Sequence, residues 1–269
     1  MSNRTLKLVC CFAFIVSSVG IVSCAKSPTG RNQLKLYSSS QMIGMGQQAF
    51  DTMKTEGKPS AVKTQNAYVS CVAKHITAQV PKSVYSGEWE VVVFEDDQVN
   101  AFALPGGKIG VYTGLLKVAK NQHQLAAVIG HEVGHVIADH GNERMSSGTL
   151  INVGMQVTNQ ILQSNQVGHS KEIMSAIGLG VQVGVQLPFS RTHESEADII
   201  GLDLMAKAGF KPEQSVELWK NMEKASEGNR PPELLSTHPS PGTRMEQLQQ
   251  HMPQANSYYK AAPVKPNCQ

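Results

Sequence analysis

Three residues within five positions, His131, Glu132 and His135, have the types and spacing for chemistry at a divalent cation. On an α-helix the two histidines stand one turn apart, with Cβ atoms about 5–6 Å from each other. Two imidazoles so placed can converge on one ion, and zinc takes such nitrogens at about 2.0–2.1 Å. Glu132 lies beside that face, where a carboxylate holds the ion's water rather than the ion. This is the equipment of metal-assisted hydrolysis. The bare pattern also occurs on helices that merely carry two histidines, so its surroundings must decide.

A third ligand is sought in Arg191-Thr192-His193-Glu194-Ser195-Glu196-Ala197-Asp198. Residues up to Ala208 read as a helix, with Gly209 as its stop. Glu194 shares a face with Asp198, Gly201, Leu202 and Met205, which reads as buried. Glu196 shares a face with Ile200, Asp203 and Lys207, where Asp203 and Lys207 form an exposed i,i+4 pair. Glu194 is therefore the expected ligand. Asp198, one turn on, is placed to orient a ligand histidine through its second ring nitrogen. The plainer reading of both carboxylates is a solvated helix start, favoured by the dipole. His140 lies about 140° around the helix from His135 and is a poor ligand. His123 is too far upstream, and His75, His169, His193 and His251 read as surface residues. His238, in Ser236-Thr237-His238-Pro239-Ser240-Pro241-Gly242 with Arg244 beyond, reads from composition as a turn before a helix.

The elements that must hold these residues follow from periodicity. Ser40 to Val80 has helical spacing divided at Pro59, giving two helices. Trp89–Phe94 and Lys108–Thr113 read as strands, and Leu104-Pro105-Gly106-Gly107 is turn chemistry. Asn121 is a candidate N-cap with Gln124 three residues on, and Leu125, Val128, Ile129, Glu132 and Val136 recur at helical spacing. Helical patterns then run to about residue 252. The uncharged stretch 173–189 reads as a buried or groove-lining helix rather than a membrane span. The body is α+β, mostly helical, with a small sheet beside the histidine-bearing helix.

Arg4 and Lys7 lead into an apolar run, Leu8 to Val22, the pattern of a signal peptide over residues 1–23. The run ends Ile21-Val22-Ser23-Cys24, which resembles a bacterial lipobox with Cys24 as the lipidated residue. Ala25 rather than Asp after it points to the periplasmic side of the outer membrane, reached through that lipid anchor. Residues 24–40 are expected to be a tether, 41–252 the catalytic body and 253–269 a flexible tail. The chain's 24 basic residues lose Arg4 and Lys7 with the leader, leaving 22 against 21 acidic ones, a charge of +1. That balance gives no support to a nucleic-acid partner. Of five cysteines, Cys10 and Cys11 would leave with the leader. Cys71 and Cys268 could form one bond tying tail to body, which spacing does not decide.

Four motifs occur in order: Asn100-Ala101-Phe102-Ala103-Leu104-Pro105-Gly106-Gly107, the helix with His131, Glu132 and His135, Glu194-Ser195-Glu196-Ala197-Asp198, and Thr237-His238-Pro239 with Arg244. Together they resemble the CAAX-prenyl-protease-like zinc metallopeptidases of the HtpX, BepA and LoiP type, over about residues 40 to 250. The resemblance implies a zincin-like fold and an endopeptidase of gluzincin type. It implies one Zn2+ per chain on His131, His135 and Glu194, with Glu132 as general base and Asp198 behind the ligands. It raises His238 to a residue near the metal's open position and Arg244 to a neighbour of it, both with catalytic roles. Asn100, Ala101, Phe102 and Gly107 are the expected substrate-binding positions. No membrane helix is found after the leader, which favours the soluble lipoprotein branch. Unfolded or misassembled cell-envelope proteins are the expected substrates, with the Lys108–Thr113 strand pairing with their backbone. The rival readings are a zinc-stabilised periplasmic chaperone or assembly factor, and a structural lipoprotein with a chance motif. Oligomeric state is not legible.

Overall fold

The computed structural model of the chain describes residues 24–182, 186–226, Leu234, His238 and 241–268. Residues 1–23, expected to be a signal peptide, and most of the residues around His238 lie outside the described residues. In chain order the elements are β1 (Cys24–Lys26), β2 (Asn32–Leu34), α1 (Ser39–Glu56), α2 (Lys63–Thr77), β3 (Glu90–Phe94), β4 (Ala101–Leu104) and β5 (Lys108–Tyr112). There follow α3 (Thr113–Val118), α4 (Gln122–Ile137), α5 (His140–Ser164), α6 (Ser170–Val181), α7 (Leu187–Lys207), α8 (Gln214–Ser226) and α9 (Pro241–Ala261). The expected α+β class holds: helices around one three-stranded sheet and a separate β1–β2 ribbon.

The sheet order is β3-β5-β4, with β3 parallel and β4 antiparallel to β5. β5 is thus the centre strand, with both hydrogen-bonding edges taken. This corrects the expectation that Lys108–Thr113 pairs with substrate. The outer edge of β3 is covered as well: Ser60 N–H donates to Val93 O at 2.7 Å and Glu95 N–H to Lys58 O at 2.7 Å. β4 forms the sheet's other edge and lies against α4. Alternation along β4 sends Ala101 into the core. Phe102 goes to the other face, where its ring lies 6.2 Å from Phe50 and Phe94 and 6.1 Å from Tyr112.

α4 runs through the middle of the core, buried on nearly every side from Gln124 to His135. The Asn121 cap is present: its side chain accepts from His123 N–H at 3.0 Å and Gln124 N–H at 3.1 Å. At the other end Asp139 adopts φ 54°, the left-handed region that aspartate tolerates, and turns the chain into α5. α7 crosses α4 along a seam without side chains. A Cβ on Gly201 would stand 2.6 Å from the His131 backbone nitrogen, and one on Gly134 would stand 2.8 Å from Ala197 O. Two bare backbones can meet there, and that closeness brings Glu194 to the histidines.

Three expectations are corrected by the packing. Residues 24–40 are no loose tether, because the β1–β2 ribbon and its flanks dock on the body and bury Ser27 and Gln33. The end of the chain is no flexible tail either. α9 continues to Ala261, and Cys268 is buried and bonded to Cys71 on α2. The uncharged stretch beginning at Ile173 is not a buried helix: α6 has no buried residue, and Leu179 is 62% exposed. Among the described residues, no helix is long and apolar enough to cross a membrane.

Candidate metal centre

Four side chains converge at the α4–α7 crossing. Nε2 of His131 and of His135 are 3.1 Å apart. Glu194 brings Oε2 to 3.3 Å from His131 Nε2 and Oε1 to 3.4 Å from His135 Nε2. His238 closes the group, with Nδ1 2.8 Å from Glu194 Oε2 and 3.2 Å from His131 Nε2. One ligand atom from each of these four buried residues lies within 4.8 Å of the others. Glu132 stands beside them, its Oε1 3.5 Å from His238 Nε2.

The donor set fits a divalent cation on two observations. Oε1 of Glu132 and Oε1 of Glu194 are buried and make no hydrogen bond, although a buried carboxylate oxygen without a partner is costly. The charge is also unbalanced: Glu132, Glu194 and Asp198 are buried carboxylates, and Arg244 is the buried guanidinium among them. Carboxylates thus outnumber the guanidinium, and a cation suits the surplus. Nitrogen and carboxylate ligands in this combination suit zinc.

Electrostatics follow from that crowding. Burial pushes the Glu194 carboxyl up, but the surrounding rings of His131, His135 and His238 outweigh it and hold it far below the usual carboxylate range. Burial likewise disfavours charge on His131, yet Asp198 and Glu194 raise it to about 9. His135 is pushed well below its ordinary value by burial.

Behind the ligands, His131 Nδ1 is 2.9 Å from Asp198 Oδ1, which turns Nε2 toward the cluster. Arg244 grips the same carboxylate with both edges: Nε donates to Oδ2 at 2.6 Å and Nη2 to Oδ1 at 2.7 Å. Its Nη1 donates to His238 O at 3.0 Å and lies 3.3 Å from Glu194 Oε2, and its guanidinium stacks 4.2 Å from the Trp219 ring centroid. At 2% exposure Arg244 is a brace behind the ligands. Its donors are engaged inward, on Asp198, His238 and Glu194.

The helix-face reading of Glu194 holds, but its companion does not. α7 begins at Leu187, so both carboxylates sit within the helix rather than at its start. Glu196 is buried at 5% exposure, not solvated, because the β1–β2 ribbon covers its face. Burial pushes the Glu196 carboxyl up, but hydrogen bonds from Ser27, Thr29, His140 and Arg31 hold it at about 2. His193, read as a surface residue, is fully buried and stacks on the equally buried His140, ring centroids 4.0 Å apart. Asp203 pairs with His251 at 2.8 Å, and Lys207 lies over the Tyr258 ring, so the foreseen Asp203–Lys207 pair is replaced by partners from α9. Of the segment read as substrate-binding, Ala101 is buried and Phe102 packs away from the metal centre. Asn100 Oδ1 accepts from Ala101 N–H at 2.9 Å, and Gly107 lies in the β4–β5 turn beside Tyr85. A hydroxyl- or amide-bearing ribbon at positions 27–33 was the only sequence signal for the Glu196 partners, and it reads equally as linker.

Comparison with known proteins agrees with this geometry. The profile of peptidase family M48 matches residues 63–252. The chain is 37% identical over 191 residues to "Mitochondrial metalloendopeptidase OMA1" of Schizosaccharomyces pombe, covering 70% of this chain and 53% of that one. It is 30% identical over 256 residues to "Metalloendopeptidase OMA1, mitochondrial" of Danio rerio, covering 90% and 53%. The "Beta-barrel assembly-enhancing protease" of Escherichia coli is 30% identical over 158 residues, 57% of this chain and 32% of that one. The chain spans about half the length of the first two relatives. Relatives matched over most of the chain are thus named as mitochondrial, and this overturns the placement on the periplasmic side of a bacterial outer membrane. With a matched stretch that contains both His131 and Arg244, the chain belongs to peptidase family M48.

Proposed function

We propose that the chain is a zinc-dependent endopeptidase acting on extended segments of unfolded or misassembled proteins. The observation that carries this reading is the convergence of His131, His135, Glu194 and His238, with Glu132 beside them and without a hydrogen bond at Oε1. His131, His135 and Glu194 would hold the ion. Bound zinc supplies a Lewis acid that lowers a water's pKa and polarises a carbonyl. Glu132 takes the proton of the attacking water through Oε1 and returns a proton to the leaving amine. His238 stands inside the ligand group and must give way, or turn its ring, for a substrate carbonyl to approach. Arg244 and Asp198 hold His131 and His238 in place from behind.

Support for extended substrates comes from β4. It is the sheet edge beside α4, so an extended segment can add to it through backbone hydrogen bonds, which read no side chain. Asn100 and Ala101 would serve through their backbone, as would Phe102, whose ring is committed elsewhere. One relative is named for enhancing β-barrel assembly, in keeping with incompletely folded clients. The test is zinc content and casein cleavage of the purified chain beside Glu132→Gln. That variant is expected to keep zinc and lose cleavage by a factor of about 10²–10⁴. Unchanged cleavage in that variant sinks the mechanism, and a wild type that binds zinc without cleaving leaves the chaperone reading.

A further inference from the structure

The metal-facing nitrogen of His135 depends on a second imidazole that sequence reasoning set aside. His135 Nδ1 lies 2.8 Å from His140 Nδ1, and His140 Nε2 lies 3.1 Å from Glu196 Oε2. Two ring nitrogens at that distance share one proton. If His140 gave it, its Nε2 would turn a bare lone pair toward a carboxylate oxygen, which repels it. The carboxylate therefore takes the His140 proton at Nε2. His140 Nδ1 is then an acceptor, His135 must donate from Nδ1, and the His135 lone pair is left on Nε2, toward the cluster. One buried carboxylate fixes both tautomers in series.

Glu196 is itself held by residues far away in sequence. Thr29 Oγ1 donates to its Oε1 at 2.6 Å, and Arg31 donates to Oε2 from Nε at 3.1 Å and from Nη2 at 2.9 Å. The same guanidinium spans to Glu143, with Nη1 at 2.7 Å and Nη2 at 2.8 Å. Glu143 also accepts from Gln33 Nε2 at 2.9 Å and pairs with Nε2 of His193, the ring stacked on His140. The imidazole of His140 is thus gripped at both nitrogens and on one face.

We propose that His140 is a positioning residue for the metal centre, and that the N-terminal ribbon, through Thr29 and Arg31 on Glu196, sets its orientation. The inference rests on His135 being a zinc ligand. The ribbon is then a working part of the site, and loosening it loosens the metal.

The test measures zinc affinity by chelator competition in the full chain and in three variants, with thermal unfolding as the check on folding. Wild type that binds no zinc defeats the ligand assignment itself, and the remaining arms are read only against zinc-binding wild type. His140→Leu is expected to weaken zinc about 10- to 100-fold. His140→Gln, whose amide can accept from His135 and donate to Glu196, is expected to recover most of that loss. Glu196→Gln keeps the shape and removes the charge, and it carries the test if His140→Leu does not fold. In zinc-free protein, nitrogen NMR of labelled histidine is expected to show His135 protonated at Nδ1 in wild type and a tautomer mixture in Glu196→Gln. Wild-type zinc affinity in folded His140→Leu or in Glu196→Gln overturns the proposal. So does a His140→Gln variant no better than a folded His140→Leu.

Discussion

At the scale of single residues, the centre is a problem of charge placed where water is scarce. Arg31 shows how it is met away from the metal. It is one guanidinium between two buried carboxylates, Glu143 and Glu196, both held below their ordinary values despite burial. Removing it takes away the cation they share, so Arg31→Ala is expected to cost about 3 kcal/mol in urea unfolding at neutral pH. The pH dependence follows from direction. Glu196 falls from 4.5 to about 2 in the folded chain, so its stabilisation is complete above the unfolded value and is lost as pH falls through the folded one. The gap between wild type and Arg31→Ala should stay level down to about pH 5 and shrink toward pH 2. A gap that widened in acid would refute the assignment. The residues on the metal itself were legible because their signal is local: spacing on one helix, then a short motif on another. Glu196, His140 and His193 were not. Each was judged by its own helical face, but Glu196 is covered by a ribbon more than a hundred residues away in sequence, and His140 and His193 are buried against each other and against Glu196 and Glu143.

At the scale of elements, the two ligand-bearing helices are set by what they lack. Gly130, Gly134 and Gly201 let the α4 and α7 backbones approach until a single methyl group would meet main-chain atoms. Gly201→Ala places its Cβ against the His131 nitrogen, and main chain cannot swing aside as a side chain does. The helices must part, at a cost of about 1–3 kcal/mol of overpacking, and Glu194 withdraws with α7. The expected outcome is a lower melting temperature together with weaker zinc binding. A stable variant with wild-type zinc affinity would show that the seam does not set the site. Helix identity and caps were readable from sequence, as Asn121 and Gly209 show, since both rules act over four or five residues. Strand order was not. Lys108–Tyr112 has the composition of any strand, and only pairing on both sides makes it the centre of the sheet and leaves β4 at the edge.

At the scale of the whole molecule, the two ends of the chain carry more than their composition suggested. A polar, turn-rich start and a proline-bearing finish look alike as loose ends, yet each supplies buried groups to the body. The Cys71–Cys268 bond, between positions 197 apart in sequence, makes that finish covalent. It encloses every ligand of the proposed centre, the exposed α5–α6 hairpin and both helices of the seam within a single ring. A cut anywhere in that ring opens a circle and frees no fragment. If the enzyme, or another protease, clips the hairpin near Leu179, the two pieces should migrate as one species until a thiol reductant is added, then separate. A nicked population would otherwise pass for intact protein in any assay run without reductant.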